Sequence, residues 1–175
     1  DEFKIDEKQR KDLFGEAISV VDIKTIDSDN TESNVLELLN NIILKERILN
    51  KIIRNKIIEI IEGVINNKDN STLNKQTSLK LLNNLVLNVY NIDRKEYRRD
   101  LFDKTINVIE NINIQTTDDG TKNNVLELLN NLISKVDEFK TDENQRRDLF
   151  DKTINVIKTI NIETTDDNIK NNVLE

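Results

Sequence analysis

The sequence predicts an all-α fold of tandem antiparallel helix pairs, and three observations carry that prediction. Segments recur along the chain. Each recurring segment carries an apolar stripe at helical spacing. Polar Thr/Asp/Gly clusters separate the stripes. Asp-Leu-Phe occurs at 12–14, 100–102 and 148–150, and Leu-Leu-Asn-Asn at 38–41, 81–84 and 128–131. The Leu-Leu-Asn-Asn copies lie 43 and 47 residues apart. Residues 98–127 and 146–175 align at an offset of 48 with 25 of 30 positions identical, the differences falling at 110, 111, 115, 120 and 121 of the first copy. Self-similarity at such a period marks a repeat array, stacked as a solenoid or elongated bundle. Four units follow, 1–45, 46–89, 90–136 and 137–175, with about 46 residues in a complete unit.

Each unit holds two helical patterns. The first is clearest in unit four, where Leu149, Phe150, Thr153, Val156, Ile157 and Ile160 form one stripe. Its start carries a capping-box spacing: Asp6 precedes Gln9, Asp93 precedes Glu96 and Asp142 precedes Gln145 by three residues. Glu143/Arg147, Arg147/Asp151 and Asp148/Lys152 stand at i, i+4, where opposite charges attract. Arg146-Arg147 could clamp a phosphate or carboxylate, but a solvated, ion-paired face is the preferred reading. The second pattern is clearest in unit three. There Val125, Leu126, Leu129, Leu132, Ile133 and Val136 cover one arc, while Glu127, Asn130 and Ser134 point away. Clusters such as Thr116–Thr121 break helices and make turns between the two patterns.

Unit two lacks the connector before its first helix. The stretch 34–66 contains no Pro and no Gly before Gly63. The expectation is one long helix, roughly 48 Å at 1.5 Å per residue, with a kink near Lys45–Arg47 as the alternative. Its broad apolar face includes Ile42, Ile43, Ile48, Leu49, Ile52, Ile53, Ile57 and Ile58, so it should be the most buried helix. The expected core comprises Leu13, Phe14, Leu39, Ile53, Leu82, Leu101, Phe102, Leu129, Leu149 and Phe150.

Composition narrows the chemistry. The 175 residues carry a net charge of −7, with 36% hydrophobic and 34% charged residues. A nucleic-acid binder draws its affinity from basic residues facing phosphates, so an acidic chain points away from nucleic acid. No apolar run approaches the roughly 20 residues that span a bilayer, so no membrane insertion is expected. His and Cys are absent, which removes imidazole bases, thiol nucleophiles and thiolate metal ligands. The three glycines, 15, 63 and 120, build no phosphate cradle. No enzyme and no cofactor are expected, and no catalytic residue is assigned. Metal candidates are the connector carboxylates Asp27, Asp29, Asp118, Asp119, Asp166 and Asp167. Counting an EF-hand from Asp27 places Leu38 where the bidentate Glu belongs, so turn formation and capping explain these residues better than calcium. Asn70-Ser71-Thr72 is a glycosylation sequon in a connector. The chain holds 27 Asn, and the pairs 40–41, 83–84 and 130–131 fall mid-helix, where Asn is a poor helix former. Stacked neighbours could align them into an amide ladder or a recognition strip. Duplication together with codon bias is the simpler account.

With these patterns in place, the helix pair per unit resembles alpha-solenoid repeats of the HEAT or armadillo size class, in length and periodicity. Residues 126–157 are also similar in texture to helical regions of large protist cell-surface proteins related to polycystins. The expected function is a structural repeat module of a longer fibre, surface or scaffold protein. Its alternatives are a peptide- or protein-binding solenoid and an acidic, calcium-responsive matrix protein. An extracellular surface or fibre is favoured over the cytoplasm. Glu175 aligns with Glu127 and Asp1 with Asp137, so residues 128–136 have no counterpart in unit four. The chain is therefore read as an excerpt of a longer array, whose partners are neighbouring repeats or further copies of itself, with another protein as a further candidate.

Overall fold

Apolar residues spaced by three and four fold into helices that bury one stripe, and the computed structural model is all-helical among the described residues. It describes residues 29–45, 51–67, 69–92 and 94–160, together with Gln9, Asp12, Leu13, Gly15, Glu16, Ile18 and Val21. The helices are α1 (Asp29–Lys45), α2 (Lys51–Asn66), α3 (Thr72–Leu87), α4 (Lys95–Glu110), α5 (Asp119–Ser134) and α6 (Glu143–Thr159). A 3-10 turn, Val89–Asn91, follows α3. Gln9, Asp12, Leu13, Gly15, Glu16 and Ile18 are helical too. No strand occurs among the described residues.

Local chemistry sets where the helices start. Ser71 accepts the Asn74 N–H at the head of α3, and Asp118 does the same for Thr121 at the head of α5. The capping box of α6 forms as the spacing predicts. Asp142 Oδ1 accepts from the Gln145 N–H at 2.9 Å, and Gln145 Oε1 accepts from the Asp142 N–H at 3.1 Å. Helix α4 departs from the pattern. Its N-cap is Arg94, with no side-chain cap, and not Asp93, which lies outside the described residues.

Helix α3 is the hub. It packs against α1, α2, α4 and α5, and Leu79, Leu81, Leu82, Leu85 and Val86 are all buried along it. The α3–α5 pair is parallel, because Gln76 reaches Asp118 near both helix starts and Asn83 reaches Asn131 near both ends. Helix α2 joins α3 through residues 67–71, a connector short enough to force an antiparallel hairpin. Helices α2 and α4 are parallel in turn. Lys51 and Arg54 lie over Tyr97, and Asn55 accepts from Lys104.

The single long helix expected over 34–66 is replaced by α1 and α2, and residues 46–50 between them lie outside the described residues. Packing explains the division. A straight helix over that stretch would run roughly 48 Å, whereas the 16 residues of α3 span about 24 Å. Yet α3 packs against both segments. The broad isoleucine face is therefore folded onto one short helix, and Ile52, expected within it, is exposed. The most enclosed helix is accordingly α3, the one with neighbours on every flank.

Most of the expected core is buried: Leu39, Ile53, Leu82, Leu101, Phe102, Leu129 and Leu149. Phe14 lies outside the described residues. Two expectations are corrected. Leu13 is 52% exposed and Phe150 48% exposed. Phe102 is covered because the Phe139 ring packs edge-on against it at 5.5 Å. Phe150 stands at the matching place on α6 with no equivalent aromatic ring against it among the described residues. Phe102→Ala should cost about 3–5 kcal/mol, and Phe150→Ala less than about 2 kcal/mol. Urea denaturation of the two variants followed by circular dichroism checks this ordering.

Candidate functional site: an amide relay and an arginine staple

The mid-helix Asn pairs, costly to a lone helix, acquire partners when helices lie side by side. Asn84 Nδ2 donates to Asn40 Oδ1 at 2.7 Å, and Asn131 Nδ2 donates to Asn83 Oδ1 at 2.9 Å. In both cases the second Asn of one Leu-Leu-Asn-Asn copy donates to the first Asn of the preceding copy. Asn83, buried in the seam, also donates to Glu127 Oε1 at 2.8 Å. Farther along α3, Gln76 Nε2 donates to Asp118 Oδ1 at 2.8 Å, and Asn124 donates to the Gln76 carbonyl at 3.4 Å. Gly120 gives the Gln76 amide its space, since a Cβ there would collide with it. These amides are engaged with one another. They hold neighbouring helices in register, while Asn41, the other member of the first pair, is exposed.

A second constellation joins the start of α4 to the turns on either side of it. Arg98 Nε donates to the Ile92 carbonyl at 2.6 Å, and Nη1 donates to the Glu138 carbonyl at 3.1 Å. Its guanidinium also lies 3.8 Å from the Glu138 carboxylate. Arg99 Nε donates to the Lys140 carbonyl at 2.8 Å. Lys140 has φ 56°, a left-handed conformation disfavoured for a side-chain-bearing residue, and the Arg99 bond helps to hold it. The sequence signal for this staple is the paired arginine before Asp-Leu-Phe, which reads on its own as a solvated face. Arg146, 48 residues on, pairs with Asp137 at 2.8 Å. The expected Glu143–Arg147 pair is loose at 3.7 Å, and the Asp148–Lys152 pair is close at 2.7 Å.

Sequence reasoning also missed Tyr97. Lys51 Nζ lies 5.0 Å from its ring centroid, and the Arg54 and Arg94 guanidinium carbons each lie 5.6 Å away. Cations over an aromatic face are attracted by about 0.5–2 kcal/mol each. Burial lowers the Arg54 pKa, opposed by the nearby Asp100 and Tyr97. Where α4 ends, a cleft of about 490 Å³ opens against α6, lined by Glu110, Asn113, Asp148 and Lys152 among others. Lys152 bridges its two walls, 2.7 Å from Glu110 and 2.7 Å from Asp148. Burial works against its ammonium, but the hydrogen bonds to Asp148 and Glu110 outweigh it and raise the pKa. Acid and amine are thus paired with each other at the mouth of the cleft.

Of the six metal candidates, Asp29, Asp118 and Asp119 lie among the described residues. Asp118 is the α5 N-cap, and Asp119 pairs with Lys122 at 3.1 Å. Asp29 opens α1, while Asp27, Asp166 and Asp167 lie outside the described residues. Among the described residues no three acidic side chains are grouped to hold a metal ion. Asn70 of the sequon donates its amide to the Val64 carbonyl at 3.2 Å, closing the turn after α2. Among the described residues no helix is long and apolar enough to cross a membrane. No protein-family model, curated protein or solved structure matches the chain.

Asp118 gives the seam a pH dependence. Partial burial disfavours its ionised form, but hydrogen bonds from the Thr121 hydroxyl and N–H and from Gln76 outweigh it. Its pKa therefore sits below the ordinary 3.8. A carboxylate with a depressed folded-state pKa stabilises the fold fully above its unfolded pKa. That stability is lost as the pH falls through the folded value. Asp118→Asn keeps a capping oxygen and removes the titration. Wild type should exceed this variant in stability at pH 7, and the gap should close as the pH falls from 4 toward 2, read by urea midpoints at each pH.

Proposed function

We propose that the chain is a non-catalytic structural module in which helix pairs of about 46 residues stack as a solenoid. Its work is to extend a longer fibre, surface or scaffold assembly. The observation that carries this reading is the recurrence of the relay. The same Asn-to-Asn bond joins α1 to α3 and α3 to α5, at separations of 44 and 48 residues. A bond repeated at each step of a sequence repeat is what a stack of equivalent units needs. Arg98 and Arg99 support the reading too, because they tie the helix of one unit to the turn that opens the next. The acidic composition suits a spacer, and Lys152 and Arg146 are paired with the acids Glu110, Asp148 and Asp137.

A peptide-binding solenoid would instead present an open polar groove, and Asn40, Asn83, Asn84 and Asn131 are here bonded to one another. Electron microscopy of the full-length protein decides between these classes. A regular stalk or filament with helical layers supports the structural module. A compact, curved monomer that binds a peptide would overturn it.

A further inference from the structure

The chain breaks its own repeat at the start of α4. Aligned on Asp-Leu-Phe, the stretches upstream read Asp-Glu-Lys-Gln at 6–9, Arg-Lys-Glu-Tyr at 94–97 and Asp-Glu-Asn-Gln at 142–145, each followed by two basic residues. In α6 the Asp and the Gln close the capping box. Arg94 holds the same N-cap place on α4 and leaves it without a side-chain cap, because a guanidinium only donates. In this one copy two acids have become two bases, and the Gln has become Tyr. Breaks in an otherwise consistent local pattern gather at functional places.

The altered residues meet in space. The Arg94 guanidinium carbon lies 5.6 Å from the Tyr97 ring centroid, and Nη1 donates to the Tyr97 hydroxyl at 3.4 Å. Lys51, which opens α2, places Nζ 5.0 Å from the same centroid. Lys95 follows Arg94 in the first turn of α4. Lys51, Arg94 and Lys95 are exposed, and none forms an ion pair among the described residues. Glu96 shares the turn and pairs with none of them. Arg54 also lies over the ring, but it is buried near Asp100 and belongs to the packing of α2 on α4. Asp100 is itself held by Lys104 at 3.2 Å.

The cluster thus gathers donors and positive charge. The Tyr97 hydroxyl accepts from Arg94 and keeps its own proton to donate. Lys51 and Arg94 face the same ring, a separation at which salt screens like charges only in part. An anionic acceptor relieves that repulsion. Its size is bounded by the rest of the chain, whose net charge is −7. A long polyanion would run on into acidic surroundings, and a second copy would be repelled as a whole. A short run of carboxylates meets only the basic patch.

We propose that Lys51, Arg94 and Lys95, arranged about Tyr97, dock an acidic segment of another protein, a run of a few Asp or Glu residues. Its carboxylates accept from the two ammonium groups, the Arg94 guanidinium and the Tyr97 O–H. The proposal goes beyond the structural-module reading and does not depend on it. A spacer with one altered unit would carry its partner at one place along its length.

Fluorescence anisotropy with a dye-labelled, end-blocked tri-glutamate peptide tests it. Wild type should bind at low ionic strength with a Kd between about 10 μM and 1 mM, and should not bind the tri-glutamine peptide. Arg94→Asp with Lys95→Glu should weaken binding about tenfold or more. That pair copies the start of α6 and restores a capping Asp, so its urea midpoint should match or exceed that of wild type. Lys51→Glu, a single exposed change at a helix start, should weaken binding as well, and it decides the matter if the pair lowers the midpoint. Lys80→Glu with Lys158→Glu makes the same change in net charge on other helices and should leave the Kd within about twofold. Wild type that does not bind below about 1 mM overturns the proposal, as does unchanged affinity in the Arg94/Lys95 and Lys51 variants or an equal loss in the Lys80/Lys158 control. Tighter binding of a single-stranded oligonucleotide overturns the acidic protein as the partner. Self-association of wild type that the Arg94/Lys95 variant abolishes assigns the patch to a second copy and overturns it too.

Discussion

The structure depends on helices of the same kind lying side by side in fixed register, and the Asn83 amide is where that register is set. Apolar burial drives helices together, but it is non-directional and tolerates a slide along the axis. A buried amide does not tolerate it. Asn83 accepts from Asn131 and donates to Glu127, so a shift of one residue would leave this buried amide without its partners. The leucines on either side, Leu82 and Leu129, supply the attraction, and the amides decide where it stops.

Geometry at one level constrains the next. Once α3 is fixed between α1 and α5, α2 must double back along it, and the turn after α5 is brought to the start of α4. Arg98 and Arg99 then close that approach through backbone carbonyls, which ask only for a chain at the right place and not for a particular side chain. The two constellations act on different rows. Amides align α1, α3 and α5, while arginine, tyrosine and the Lys152 pair join α2, α4 and α6.

Much of this was legible in the sequence, and the exceptions share a cause. Helix α6, with its Asp142–Gln145 capping box, and the stripe of α5 could be read because capping and periodicity are local properties. The division of the 34–66 stretch into α1 and α2 could not, because no proline or glycine marks it and the packing of both helices on α3 is a tertiary property. The amide relay was one of two readings of the Asn pairs. Choosing between them requires knowing that Asn84 lies beside Asn40. The exposure of Leu13 and Phe150 escaped for the same reason. A repeat pattern says which residues lie on the apolar stripe, but not how far each one is covered. Arg98 read as part of a charged surface because its acceptors are carbonyls, which sequence composition does not display.

A double-mutant cycle on Asn83→Ala and Asn131→Ala tests the register claim most directly. Each single variant leaves a partner amide unsatisfied, so the double variant should be less destabilised than the sum of the two. The coupling expected is about 1 kcal/mol. Additivity within about 0.3 kcal/mol would mean that the two amides do not meet in solution, and would contradict the registered stacking of α3 on α5.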